Sequence, residues 1–180
     1  MGNKLDFNTV SNHLGQYVTD HKKAFIEEVL SQRTRHATLV LEDIYQSQNA
    51  SAVFRTAECL GIQDIHLIEN VGNYTVNKRV LKGADKWLSI FKYNKEINNT
   101  MACFKELKSR GYKILATSPA AALTLEEIDV TSKIAIVLGN ELHGLSDEAR
   151  DQADFQVRIP MYGFTESLNL SVSAAICVSN

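Results

Sequence analysis

Apolar residues along this chain recur with two different spacings, which predict helices and strands in turn. From Asn8 to Gln32 they return every three to four residues, the spacing of an amphipathic helix, and Gly15 marks a break between two helices. Short continuous apolar runs follow. The predicted strands are 38–42, 64–69, 88–93, 112–118, 133–138 and a last one starting at 155, and the predicted helices between them include 52–61 and 97–110.

This alternation of strands and helices predicts an α/β fold. Its sheet is expected to be mostly parallel, with right-handed crossovers that place helices on both faces. The 180 residues, 44% apolar and 22% charged, are sufficient for one compact domain with its own core. We therefore divide the chain into an N-terminal helical extension, 1–36, and an α/β domain, 37–180.

The loop GNELHGLS at 139–146 follows a buried strand and nearly matches a phosphate-binding loop. Leu145 stands where that motif requires lysine, so a nucleotide triphosphatase is disfavoured, and the chain has no G-x-G-x-x-G for a dinucleotide. What remains is a loop whose glycines permit close backbone approach, beside the polar groups of Asn140 and Glu141. A plain turn in which Ser146 starts a helix explains the spacing equally well.

Two other segments carry candidate chemistry. In IPMYGFTESLNLS (159–171) the polar residues could serve a ligand, or Ser167 or Asn169 could simply cap the last helix. In QNASAVFRTAEC (48–59), Arg55 could pair with Glu58 at i+3 or bind a phosphate. Asn49 could be only the N-cap of that helix.

Charge is unevenly distributed over the chain. The net charge is −2, yet 78–95 holds six cations against Asp85 alone, interleaved with Trp87 and two further aromatic residues. That composition suits phosphates and bases, although a solvated face with aromatic core contacts has the same pattern. The three cysteines are widely spaced and predict no metal site, and without a signal segment or membrane span we expect a cytoplasmic protein.

Three motifs taken together resemble a known family. Asn49 with Arg55 six residues later, then IVLGNELHGLS, then IPMYGFTESLNLSVSAA follow one another as in the SPOUT-class RNA 2'-O-ribose methyltransferases of the SpoU/TrmH type. The resemblance covers about 38–180. The segment GADKWL (83–88) and the N-terminal helices are most similar to members that methylate guanosine 18 in the tRNA D-loop.

The resemblance implies a SPOUT α/β-knot with a C-terminal deep trefoil knot, a homodimer, RNA as partner and S-adenosyl-L-methionine as cofactor. The residues implied for catalysis are Arg55, Asn49, Glu141, Asn169 and Ser167. Those implied for cofactor binding are Leu138, Gly139, Asn140, Gly144, Ile159, Pro160, Met161, Leu168 and Asn169. The candidates for RNA binding are Arg33, Arg35, Arg55, Lys78, Arg79, Lys82 and Lys86.

Alternatives remain open at this stage. The catalytic motifs do not encode which RNA is docked, so ribosomal RNA or a tRNA anticodon position is an alternative substrate. A catalytically silent RNA-binding member of the family is a further one, although its motif residues are intact. Outside the family, a flavodoxin-like small-molecule binder is supported only by the alternation of strands and helices.

Overall fold

The computed structural model describes residues 6–71 and 78–179 of the chain, and the side chain of Lys78 lies outside that description. The helices of this part are α1 (Phe7–Gly15), α2 (Asp20–Ser31), α3 (Ser47–Cys59), α4 (Lys78–Leu81), α5 (Asn99–Ser109), α6 (Asp147–Gln152) and α7 (Leu170–Ser179). The strands are β1 (Ala37–Glu42), β2 (Asp64–Ile68), β3 (Ser89–Tyr93), β4 (Tyr112–Thr117), β5 (Leu123–Thr124), β6 (Lys133–Leu138) and β7 (Phe155–Arg158). Within those residues no helix is long and apolar enough to cross a bilayer.

The chain forms two compact units, one ending at Arg33 and the other beginning at Thr34. The first unit contains α1 and α2, whose first turns are capped by the side chains of Asp6 and Thr19. The helix α1 ends at Gly15, so the predicted break between two helices is confirmed.

The second unit is built on one sheet of seven strands in the order β3-β2-β1-β6-β4-β7-β5. All of the strand pairs are parallel, which confirms the predicted α/β class. From β1 the chain builds outward through β2 and β3 and then crosses to the other side, so the strand order reverses between β1 and β6. Ligands of open α/β sheets bind at the carboxyl ends of the strands at such a switch point.

Both faces of the sheet are covered, which explains why its central strands are continuous apolar runs. On one face, Leu39 and Leu41 of β1 join a core with α3 and α7. On the other face, Val40 of β1 joins a core with α5 and α6.

The structure corrects two helix boundaries and adds one strand. The helix α3 begins at Ser47, ahead of the predicted 52, because a carboxylate from a distant loop accepts hydrogen bonds from the backbone just before it. The helix α7 begins at Leu170 and not near Ser167, because Asn169 is the residue that caps it. The edge strand β5 was missed because two residues are too short for a periodic signal.

One buried histidine lies on the α5 side of the sheet. His66 on β2 is fully buried, stacks on Phe91 at 4.8 Å between ring centroids, and places Nδ1 3.0 Å from the hydroxyl of Tyr93. Its Nε2 has no hydrogen-bond partner among the described residues. Burial, reinforced by the positive charge of Arg110 and partly offset by Asp64 and Glu106, lowers the pKa of His66 from 6.5 to about 4.

This pKa shift predicts a pH dependence of stability. In the unfolded chain His66 takes up a proton near pH 6.5, whereas in the folded chain it stays neutral down to about pH 4. The free energy of unfolding therefore decreases as pH falls through that interval. We expect a loss on the order of 3 kcal/mol from this residue. Urea unfolding of wild type and His66→Phe at several pH values checks it. The variant should lack this component, and an unchanged pH dependence would contradict the assignment.

Candidate functional site

Three loops meet at the switch point between β1 and β6, and side-chain hydrogen bonds join them. Asn49, in the first turn of α3 after β1, donates its amide to Glu141 in the loop after β6 at 2.9 Å. Asn169, in the loop after β7, donates to the side-chain oxygen of Asn49 at 3.2 Å. The structure therefore brings together three of the predicted catalytic residues from three separate segments.

Glu141 holds the start of α3. Besides Asn49, its carboxylate accepts the backbone N–H groups of Tyr45 at 3.0 Å and Gln46 at 3.4 Å. The N-cap residue Gln46 makes no side-chain capping bond, so the carboxylate from the other loop takes that role and also complements the positive end of the helix dipole. Asn49 is thus not the N-cap of α3, and its amide is directed at the loop after β6.

The loop after β6 is a tight hairpin that depends on Gly139. The backbone N–H of Asn140 donates to the carbonyl of Gly144 at 2.9 Å and the reverse bond measures 2.8 Å. Gly144 has a φ of +69°, in the region that favours glycine. The hairpin lies so close to Gly139 that a Cβ there would come 2.5 Å from the carbonyl oxygen of Gly144. Ser146 then caps α6, as the plain-turn interpretation predicts.

The loop after β7 leaves its backbone open. From Pro160 to Leu168 no backbone hydrogen bond joins it to the rest of the described chain, and its amide and carbonyl groups are available to a ligand. Ile159 packs on the core, Met161 is half-buried and Leu168 is about one-third exposed, at 37%. These residues offer apolar contacts beside open backbone groups, a combination that suits an adenine ring and a methionine chain.

Asn169 and Ser167 take different positions. Asn169 caps α7 by accepting the backbone N–H and the hydroxyl of Ser171 at 2.9 and 2.7 Å, while its amide reaches Asn49. Ser167 is exposed and makes no side-chain hydrogen bond within the described residues. The capping interpretation is therefore correct for Asn169 and wrong for Ser167.

Arg55 is not part of this hydrogen-bonded group. It is exposed on α3 and forms no ion pair or hydrogen bond within the described part of the chain, so the pair with Glu58, one of the two alternatives for this residue, is absent. Six residues of helix place it about 9 Å along the axis and about 120° around it from Asn49. Its guanidinium faces solvent, where an external anion can reach it.

The predicted RNA-binding cations are distributed over several places. Arg35 precedes β1 and Lys86 precedes β3, so both lie at the amino edge of the sheet, about 20 Å from the loops along a six-residue strand. Arg35 is already bonded to Asp64, at 3.1 Å. Arg79, Lys82 and Lys86 are exposed, Arg33 ends the first unit, and the side chain of Lys78 is outside the described residues.

Two carboxylates at the end of β1 were missed by the sequence reasoning. Glu42 is only 2% exposed and contacts the loop after β6, and Asp43 accepts the backbone N–H groups of Asn70 and Val71 at 2.6 and 3.0 Å. Asp43 also has a φ of +48°, unusual for a residue with a side chain. The sequence feature that could have revealed them is a pair of acidic residues at the end of an otherwise apolar strand.

The fold and these loops define an α/β protein with a candidate ligand site at the carboxyl edge of its sheet. The model of the SpoU rRNA Methylase family matches residues 36–179. A tRNA (guanosine(18)-2'-O)-methyltransferase of Borreliella burgdorferi is 48% identical over 164 residues, which cover 91% of this chain and 73% of that protein.

Two solved structures of RNA-modifying enzymes are similar in fold to this chain. The A. aeolicus TrmH/SpoU tRNA modifying enzyme superposes with a TM-score of 0.78 at 30% identity, covering 89% of this chain and 80% of that one. An AdoMet-bound rRNA methyltransferase from Sinorhizobium meliloti superposes with a TM-score of 0.69 at 25% identity, covering 79% and 54%.

This chain belongs to the SpoU rRNA methylase family. The predicted family and the predicted enzyme class, an RNA 2'-O-methyltransferase, are thereby confirmed. The methyl donor of this family is S-adenosyl-L-methionine, the cofactor predicted from the motifs.

Proposed function

We propose that this protein methylates the 2'-hydroxyl of guanosine 18 in the D-loop of tRNA. The observation that carries the proposal is the meeting of Asn49, Glu141 and Asn169 at the β1/β6 switch point, beside an open-backbone loop. The relative from Borreliella burgdorferi bears the name of that activity and aligns with 91% of this chain.

The residues at the switch point fit S-adenosyl-L-methionine. The hairpin from Gly139 to Gly144 and the loop from Ile159 to Leu168 would hold it largely through backbone groups, with Leu138 and Pro160 shaping the walls and Asn140 holding the hairpin to the end of β1. When bound, the cofactor supplies a methyl group already activated on sulfur. What this chain adds is the alignment of a ribose hydroxyl with that methyl group, and alignment can supply a large part of the barrier.

Arg55 is the group proposed to act at the hydroxyl. A guanidinium stays protonated in proteins, so we assign it the orientation of the hydroxyl and of an RNA phosphate that assists proton removal. Its exposed position, with no ion pair to any of the described residues, fits a group that binds an external anion. Asn49, Glu141 and Asn169 hold the three loops in register, and Ser167 is available to contact substrate.

The knot and the dimer are also proposals. The strand β7 lies between β4 and β5, which precede it in the chain, and the chain then returns to pack α7 on α3, a path that supports threading through an earlier loop. Tyr162 and Phe164 in the loop after β7 are fully exposed, and Tyr45 and Leu142 are largely exposed. Exposed aromatic and aliphatic side chains of this size support an interface with a second copy of the chain.

Selection of the RNA is assigned to the N-terminal extension, 1–36, and to the cations of 78–86. Exposed Lys82 and Lys86 would contact phosphates away from the site, which suits a substrate as large as tRNA. Action on tRNA supports a cytoplasmic location, which is part of this proposal. Because the neighbour from Sinorhizobium meliloti is an rRNA methyltransferase, ribosomal RNA is the alternative substrate.

Transfer of tritiated methyl groups from S-adenosyl-L-methionine to unmodified tRNA and rRNA tests the proposal. We expect incorporation into tRNA that maps to the ribose of guanosine 18 and is lost when that nucleotide carries 2'-deoxyribose. Incorporation into ribosomal RNA alone would reassign the substrate. Cofactor binding without transfer to any RNA would indicate a silent member of the family.

A further inference from the structure

Glu42 is a buried carboxylate beneath the hairpin after β6. It is the last residue of β1, and its carboxylate accepts the hydroxyl of Thr100 at 2.7 Å and the hydroxyl and backbone N–H of Ser146 at 2.8 and 2.9 Å. No lysine, arginine or histidine of the described residues forms a salt bridge with it.

Burial makes a carboxylate in this position energetically costly. Burying an ionised group without a countercharge costs several kcal/mol, which strong hydrogen bonds must offset. Here all three donors come from segments distant in sequence: Thr100 lies in the first turn of α5, and Ser146 caps α6 immediately after the hairpin. The carboxylate therefore joins β1 to both segments at one point.

The two ends of the hairpin are held by consecutive residues of the chain. Glu42 fixes Ser146 at the far end, while the carbonyl of Asp43 accepts the side-chain amide of Asn140 at 2.7 Å at the near end. Since Gly144 lies between these anchors and Gly139 directly precedes the first of them, the position of the whole hairpin depends on the end of β1.

We propose that Glu42 is a positioning residue for the cofactor-binding hairpin 139–145. This role rests on the proposed function, because it acts through the loop assigned to S-adenosyl-L-methionine. A carboxylate that merely completes the core would affect stability alone, whereas a positioning residue affects cofactor affinity in protein that is still folded.

The variant Glu42→Gln separates these roles. Glutamine keeps the size and can still accept the hydroxyls of Thr100 and Ser146 on its one oxygen, but its NH₂ group then faces the backbone N–H of Ser146 with a second donor. We expect the Kd of S-adenosyl-L-methionine to rise about tenfold, the scale of one lost charged hydrogen bond, and the KM for the cofactor to rise while kcat changes little. Calorimetry with the cofactor alone, well below the Tm of each variant, measures the Kd.

Asp64→Asn is the matched control. Asp64 is also a buried carboxylate, 1% exposed, but it pairs with Arg35 and Arg110 at the amino edge of the sheet. The control should lower the Tm without changing the cofactor Kd. If Glu42→Gln fails to fold, Ser146→Ala replaces it, with about threefold weaker binding expected because the backbone donor remains.

Each outcome has one meaning. A normal cofactor Kd in folded Glu42→Gln, or in Ser146→Ala if that variant replaces it, overturns the positioning role and leaves the proposed function intact. Equal weakening in Asp64→Asn overturns it as well, because the effect would then follow from general destabilisation. Absence of cofactor binding by the wild-type chain contradicts the proposed function and this role together.

Discussion

Arg55→Ala is expected to reduce methyl transfer by about 100- to 10,000-fold, the range for loss of a group that acts at the transferred proton. The reason is the role proposed for the guanidinium, which is to orient the ribose hydroxyl and an RNA phosphate, and α3 holds no second cation that could replace it. Stability and cofactor affinity should stay at wild-type values, because the side chain is exposed and forms no hydrogen bond or ion pair with the described residues. Single-turnover transfer to unmodified tRNA measures the rate, and calorimetry measures the cofactor Kd.

Lys105→Ala is the control for this variant. Lys105 is an exposed cation on α5, a helix on the opposite face of the sheet, and its loss should leave the rate unchanged. A comparable loss of rate in Lys105→Ala would indicate nonspecific charge effects. An Arg55→Ala enzyme that turns over at the wild-type rate with normal tRNA affinity would remove Arg55 from the mechanism.

Gly139→Ala is expected to abolish measurable cofactor binding, with a Kd at least about 100-fold higher, equivalent to about 2.7 kcal/mol. The added methyl group would come 2.5 Å from the carbonyl oxygen of Gly144, and the other atoms it meets are also backbone, so no side chain can rotate away. The hairpin must open and lose its two backbone hydrogen bonds, and overpacking of this kind costs about 1–3 kcal/mol of stability. Calorimetry and thermal unfolding check the two effects.

Gly15→Ala is the control for this variant, because it adds the same methyl group at a position with free space around it. Apart from its chain neighbours and the backbone of its own helix, no atom of the described residues lies within 4 Å of a Cβ built on Gly15, at the end of α1. This variant should bind the cofactor normally and keep or slightly raise its Tm, since alanine restricts the unfolded chain more than glycine does. If Gly139→Ala bound the cofactor as wild type does, the hairpin would be excluded from the site.

The helical extension, the parallel α/β class and the positions of most strands could be predicted, because they depend on spacings within single segments. Gly61 and Gly111 end their helices with φ values of +78° and +84°, as glycine after an apolar helical run predicts. The start of α3 could not be predicted in this way. Its cap comes from Glu141, and no local pattern around Ser47 carries that information.

The candidate site likewise contains residues that could be predicted from the sequence and contacts that could not. The motif residues Asn49, Glu141 and Asn169 were predicted as a set, and the structure places them in contact. Arg35 was grouped with the RNA-binding cations by its charge, although its guanidinium pairs with Asp64, a partner 29 residues away. Charge composition identifies a cation but does not identify the carboxylate that the fold brings to it.

Periodicity and glycine spacing were sufficient to predict the α/β class, because each is a property of residues close together in the chain, and the resemblance of the three motifs to a known family implied the methyltransferase activity. The insertion of β6 between β1 and β4, the solvent-facing side of Arg55 and the buried role of Glu42 required the folded chain. The physical reason is separation: Asn49 and Glu141 are 92 residues apart, and Glu42 and Ser146 are 104 apart. Contacts over such distances follow from how the strands assemble into the sheet, which the local pattern does not specify.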